Sequence, residues 1–191
     1  MIILNWLRRL CGVTPRKIVF KNKEFKAYLE DVASCSSFCT TSQFVQHGNT
    51  SVLLHSIAVA YYSYYLSWYF HIKSREQELV RGALLHDYFL YDWHSSGEGH
   101  TFHAFTHASD AFANAQKEFD LSRVEREVIK KHMFPLTPIP PLCREGLVVC
   151  LVDKGCSLYE TFKHNPYPML RRKFLSALAL SKLAENPSDG C

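Results

Sequence analysis

The sequence predicts an all-α protein, and three observations support this prediction. Glycine and proline are scarce, with 8 of each among 191 residues. Apolar residues recur at the three- and four-residue spacing of helices, and capping residues precede several of these stretches. The composition, 47% hydrophobic and 21% charged, is ordinary for a globular protein. A chain of this length can bury a core of its own as a single domain.

The chain divides into an N-terminal helical extension, residues 1–45, packed on a main domain of residues 46–191. The extension holds one or two short helices followed by a Ser/Thr/Cys-rich turn region. Six helices are expected in the main domain. The first covers residues 52–70 and is capped by Asn49 or Thr50, the second begins at Ser74 with Gln77 completing a capping box, and the third is led by His107. The fourth is capped by Ser122 with Glu125, a buried fifth covers residues 143–161, and a closing sixth covers residues 167–183.

Charge and hydropathy exclude several classes of function. The net charge of +4 is small and dispersed, so there is no strong nucleic-acid signal. The apolar run of residues 52–70 contains a histidine and many tyrosines, which favours a buried helix over a membrane span. Residues 1–10 are too interrupted for a signal sequence; their amphipathic pattern fits packing on the domain better than lying on a membrane. Seven cysteines without zinc-type spacing indicate reduced thiols and a cytoplasmic protein, whose oligomeric state stays open.

Histidine is the unusual component, at ten copies. Each of five predicted helices aims a histidine or an aspartate at the core. A single buried histidine is usually only hydrogen-bonded, and a single buried aspartate is usually paired. Recurrence on five helices predicts instead a metal site, because imidazole and carboxylate together suit transition-metal ions. The residues concerned are His55, His86, Asp87, His107, His132 and Asp153.

This arrangement resembles the HD-domain family of metal-dependent phosphohydrolases. The family signature is a histidine, a His-Asp doublet and a distant aspartate on separate helices of an all-α bundle. Within residues 45–160 the matching positions are His55, His86, Asp87 and Asp153. Some members carry two more histidines between the doublet and the last aspartate and bind two metals, and His107 and His132 match those. The resemblance implies an HD-domain helical bundle with the metal site between its helices.

The resemblance also implies a reaction. The four signature residues would hold one ion, His107 and His132 would hold the second, and Asp87 would bridge the two and so take part in catalysis. Two divalent transition-metal ions are expected, iron or manganese first, with zinc, nickel and cobalt as alternatives. A metal-bound hydroxide would attack a phosphate ester or anhydride of a small phosphorylated substrate, a nucleotide above all. The protein would then be a phosphomonoesterase or a phosphodiesterase.

Four further residues are candidates for supporting roles. His47 either contacts substrate or caps the following helix. His103 either donates a proton to the leaving group or supports a ligand. Lys154 could bind a phosphate oxygen, although a helical neighbour of a ligand points about 100° away from it. Arg81 is a candidate for substrate binding and equally a surface residue.

Two other functions compete with hydrolysis. A few proteins with this fold use the same ligands in a di-iron oxygenase. A non-enzymatic, metal-stabilised binding or regulatory module would instead use the aromatic residues 61–68 and the basic residues 171–173 as a partner surface. The family's cyclic-di-GMP phosphodiesterases carry a Gly-Tyr-Pro motif after the doublet, whereas this chain has Tyr88-Phe89-Leu90. That substrate is therefore disfavoured.

Overall fold

The computed structural model describes residues 15–89, 100–175 and 178; for residues 15–18, 36 and 100–106 the description covers the backbone alone. Within these ranges the protein is mostly helical, in agreement with the predicted class. The α-helices are α1 (Pro15–Ala33), α2 (Ser36–Thr40), α3 (Val52–Tyr69), α4 (Glu76–Leu85), α5 (His100–Glu118), α6 (Arg123–Lys131), α7 (Arg144–Phe162) and α8 (Pro168–Leu170). A 3-10 turn, Thr41–Gln43, follows α2, and a π-helical turn, Arg171–Leu175, follows α8.

A small antiparallel hairpin precedes α3 and was not predicted. Strand β1 (Val45–His47) pairs with β2 (Thr50–Ser51), and Gly48 in the turn has a φ of 54°. Strands of three and two residues are too short to show the alternation that identifies a strand in a sequence. The hairpin moves the start of α3, because Ser51 and not Asn49 or Thr50 is its cap, accepting a hydrogen bond from the backbone N–H of Leu54.

Other helix boundaries show which of the predicted capping motifs and bounds are present in the structure. The capping box of Ser122 and Glu125 is confirmed, and α7 begins and ends one residue after the predicted bounds. The capping box predicted at Ser74 is wrong, since α4 begins at Glu76 and the Ser74 hydroxyl bonds with that of Ser67.

Two further boundaries differ from the prediction. Helix α5 begins at His100, a full seven residues before His107. The closing helix is broken into α8 and the π-helical turn, and residues 176–183, apart from residue 178, lie outside the described part.

Helix α3 lies at the centre of the fold. It packs against α4 and α7, while α6 contacts α4, α5 and α7. Residues 52–61 of α3 are all buried, so this end of the helix faces the core on every side. No helix in the described ranges is long and apolar enough to cross a membrane.

The aromatic residues of α3 belong largely to the core. Tyr61 is 2% exposed and Tyr64 is fully buried. Phe25 of α1 packs edge-on against Tyr61 and also contacts Phe174 of the π-helical turn. These contacts attach α1 to the main helices; the boundary between residues 45 and 46 stays a prediction.

Arg81 of α4 forms a largely buried pair with Glu125 of α6. The Nε atom of Arg81 donates to Glu125 at 2.7 Å, and a terminal nitrogen donates to Asp31 of α1. The guanidinium therefore joins α1, α4 and α6. Glu125 is only 3% exposed, so its carboxylate cannot reach water and depends on Arg81 as a partner. We infer a structural role for Arg81, and its role in substrate binding stays a prediction.

Replacing this arginine should therefore destabilise the protein. In Arg81→Leu the buried Glu125 carboxylate loses its cation, and we expect the free energy of unfolding to fall by about 2–4 kcal/mol. Urea denaturation followed by circular dichroism measures this loss. Arg75→Leu is the control, because the Arg75 side chain is 67% exposed and its ion pair with Glu78 is worth little. A stable Arg81→Leu protein that has lost affinity for substrate would restore the binding role.

Candidate metal centre

Four buried residues from three helical elements form a first group of potential metal ligands. His55 lies in the first turn of α3, His86 caps the C-terminus of α4 with Asp87 directly after it, and Asp153 lies in the middle of α7. One ligand atom from each lies within 4.8 Å of all the others. The crossing of α3, α4 and α7 therefore brings together residues up to 98 positions apart in sequence.

A second group shares Asp87 with the first. It adds His107 from α5 and His132, the C-cap residue of α6, and its ligand atoms satisfy the same distance limit. The structure thus brings together all six residues selected from the sequence. It does so in two sets that have one carboxylate in common.

The two oxygens of Asp87 face different groups. Oδ2 lies 3.2 Å from Nε2 of His86 and 3.5 Å from Nε2 of His55. Oδ1 lies 2.6 Å from Nε2 of His107 and 3.2 Å from Nε2 of His132. A carboxylate in this position can contribute one oxygen to each of two neighbouring cations.

Backbone carbonyls fix the tautomers of two histidines. Nδ1 of His86 donates to the carbonyl of Ala83 at 2.7 Å, and Nδ1 of His132 donates to that of Ile129 at 2.8 Å. When neutral, each ring then presents a lone pair on Nε2 towards the carboxylates. Neither Nε2 has a hydrogen bond of acceptable geometry within the described part of the chain. The buried lone pairs of these rings face carboxylate oxygens, which are also acceptors, and a metal cation between them would satisfy both. These residues therefore fit such an ion.

Without a cation, the neighbouring carboxylates favour the protonated forms of His55 and His86, whereas burial lowers the pKa of His132. Burial disfavours the charged form of His86, but Asp87 and Asp153 outweigh it and raise the pKa of His86 to about 9. Burial likewise opposes ionisation of Asp87, yet His86 and His107 hold its pKa well below the usual range. The site is thus built for positive charge.

Glu160 supports His55 from behind and was missed in the sequence. Both of its carboxylate oxygens accept from Nδ1 of His55, at 2.9 and 3.0 Å, and both side chains are fully buried. This contact directs Nε2 of His55 towards Asp153, 3.2 Å away. Glu160 follows Asp153 by seven residues, so its spacing could have placed it on the inward face of α7, although not against His55.

Gln46 is a second residue that the sequence did not reveal. Its side-chain Nε2 donates to Oδ2 of Asp87 at 2.6 Å, and it is 4% exposed. The residue lies in β1, so it could be placed only once the hairpin was known. Position 48 in the hairpin turn requires glycine, because a Cβ atom on Gly48 would lie 2.9 Å from the Glu160 carbonyl oxygen. The hairpin is therefore fitted closely against α7.

The remaining candidates differ in position. The His47 ring lies 5.5 Å from the His55 ring, so His47 borders the centre, and burial lowers its pKa. Lys154 lies nearer than its helical angle suggested, because its Nζ reaches Oδ2 of Asp153 at 3.0 Å and also the His132 carbonyl. The side chain of His103 lies outside the described residues, and so do all of residues 90–99.

Comparisons of the chain with protein-family models, with curated proteins and with solved structures give no match. The structure shows a mostly helical protein with buried His/Asp groups able to hold metal, and no family is identified.

Removal of the Glu160 charge tests the support that it gives His55. Glu160→Gln keeps the shape but weakens the contact to Nδ1, and we expect metal affinity to fall about 10–100-fold. Competition against a chromogenic chelator measures the affinity. Glu145→Gln is the matched control: Glu145 is also buried on α7 but bonds to the backbone N–H of Arg75. Equal affinities in the two variants would contradict this role of Glu160.

The shared carboxylate predicts a stoichiometry. Elemental analysis of protein reconstituted with manganese or iron should find two ions per chain. Asp87→Ala should hold none firmly because both groups lose a ligand, whereas His107→Ala should keep one, since the first group stays complete. Two ions retained in His107→Ala would contradict the division into two groups.

Proposed function

We propose that this protein is a binuclear metal-dependent phosphohydrolase of the HD type. Its substrate would be a small phosphate ester or anhydride, with nucleotides as the first candidates. The observation that carries the proposal is the position of Asp87, whose two oxygens face two separate sets of histidines. The order of the six residues along the chain, which resembles the HD family, supports the same reaction.

The charge balance of the centre favours an anionic substrate. Two divalent ions would bring four positive charges against three buried carboxylates, those of Asp87, Asp153 and Glu160. The histidines with a fixed tautomer are neutral ligands that add no negative charge. Ions bound here would lower the pKa of a water molecule and neutralise charge on a phosphate. With the Lys154 ammonium group beside Asp153, one positive charge would remain even after a bound water becomes hydroxide, and a phosphate group would offset it.

Side chains at the border of the centre would bind and orient the substrate. The Lys154 side chain is 35% exposed and ends beside Asp153, so its ammonium group can reach a phosphate oxygen bound there. His47 would contact the substrate from the hairpin side, and Gln46 would hold Asp87 in its bridging position. His103 stays the proposed proton donor to the leaving group.

A second candidate function has one observation in its favour. All six proposed ligands are less than a tenth exposed, from 0% for His55 and His86 to 7% for His107. Such burial suits ions that stabilise a non-enzymatic binding module. We rank this second, because a purely structural site has no need of a carboxylate whose two oxygens face two separate sets of histidines.

Hydrolysis can be tested directly with nitrophenyl phosphates and nucleoside phosphates. Protein loaded with manganese or iron should release phosphate or nitrophenol under anaerobic conditions, which an oxygenase reaction would not. Asp153→Asn should lower kcat by at least about 100-fold, since it removes both a ligand and a charge.

Lys154→Met separates substrate binding from metal binding. It should keep its metal and raise KM about tenfold or more, through loss of a charge-assisted contact. Lys163→Met, at the exposed end of α7, is the control and should match the unmodified protein. Fully loaded protein that hydrolyses none of these compounds would favour the binding module.

A further inference from the structure

The outward face of α7 is apolar and exposed. Between Arg144 and Lys163 the most exposed residues of this helix are uncharged, and the partly exposed Lys154 lies at the edge of their arc. At about 100° per residue, the exposed apolar side chains fall within an arc of roughly 120°. We call them, with Gly155, the outer α7 face; the exposed fractions are 52% for Leu147, 68% for Leu151, 64% for Leu158, 45% for Tyr159 and 82% for Phe162.

Gly155 lies at the middle of this face, and no contact in the described part of the chain requires a glycine there. Of the four glycines in the described part, it alone has open space where a Cβ atom would be. Gly82 and Gly146, by contrast, are pressed against Val128 and Pro141. A glycine in the middle of a helix costs about 1 kcal/mol relative to alanine. Close approach of another helix backbone is the usual gain that offsets such a cost.

The spacing of the outer α7 face is close to symmetric about Gly155. Leu151 lies four residues before it and Tyr159 four residues after it; Leu147 lies eight before and Phe162 seven after. If two α7 helices cross antiparallel at Gly155, Leu151 of each copy meets Leu158 and Tyr159 of the other. Such mutual pairing is what a two-fold interface requires.

The area of the face suits a dimer. Its five large side chains offer roughly 600 Å² per protomer, at about 100 Å² for each leucine and 150 Å² for each aromatic residue. A standard specific interface buries about 800 Å² on each partner. Flanking polar residues of α7 can supply the difference as a rim, and the lack of charge at the centre is typical of an interface core.

We propose that the protein forms a two-fold symmetric dimer by antiparallel pairing of the outer α7 face, centred on Gly155. The second copy of this chain is the partner that the symmetric spacing selects. Since Asp153 and Glu160 lie on the opposite side of the same helix, the pairing would place the two candidate metal centres back to back. The proposal is independent of the reaction that the centre performs.

The association state tests the pairing. We expect the full chain to sediment as a dimer at micromolar concentration, and Leu151→Glu to weaken the dimer at least about 100-fold because each copy places a charge in the core. Phe20→Glu, an exposed apolar residue on α1, is the matched control and should leave the dimer intact. Circular dichroism confirms that both variants fold. A monomeric chain at high micromolar concentration would overturn the proposal, and so would a dimer that Leu151→Glu leaves unchanged.

A disulfide scan tests the centre of symmetry. With α7 axes about 8–10 Å apart and Cα atoms about 2.3 Å from each axis, the two Gly155 Cα atoms would lie roughly 3.5–5.5 Å apart, and the upper part of this range overlaps the Cα separation of about 4.4–6.8 Å found in disulfides. Gly155→Cys should therefore give a covalent dimer on mild oxidation. Leu147→Cys should not, since its two copies would lie about 24 Å apart along the helices. Oxidation of the unmodified protein gives the background from its native cysteines. Preferential cross-linking through Leu147→Cys would overturn the two-fold centre.

Discussion

The structure depends on a single buried carboxylate, that of Asp87. At 2% exposure, an ionised group without partners would cost several kcal/mol or more. The fold meets this cost by surrounding both oxygens with imidazole rings from α3, α5 and the ends of α4 and α6, while α7 adds a second carboxylate. Because α3, α4, α5, α6 and α7 each contribute at least one of these residues, the centre forms only when the five helices pack together.

The groups behind the histidines are as important as the histidines themselves. His86 and His132 both occupy helix C-caps, where carbonyls of the last turn lack helical partners and accept from Nδ1. His55 lies inside a helix, where its ring instead finds the Glu160 carboxylate. In all three cases the outer nitrogen is bonded, which orients Nε2 inward. These bonds hold the three rings in the orientation that metal ligation would need.

Helix α7 links the centre to the surface. Its inner side carries Asp153 and Glu160, and the outer α7 face carries exposed leucines and aromatics around Gly155. A dimer formed on the outer side would restrain α7 and with it two of the three buried carboxylates near the candidate metals. The hairpin adds a second restraint near the C-terminal end of α7, because Gly48 lies directly against the Glu160 carbonyl.

The sequence by itself determined the helical class, the capping box at Ser122, the bounds of α7 to within a residue, and the six residues that meet at the centre. These follow from local periodicity and capping, which depend on neighbours within a few positions. Only the tertiary structure decided that Glu160 supports His55, 105 residues away, that Gln46 reaches Asp87, 41 residues away, and that Arg81 is engaged in ion pairs. Contacts between distant residues depend on how the helices cross, and helical spacing carries no information about which side chain on another helix lies opposite.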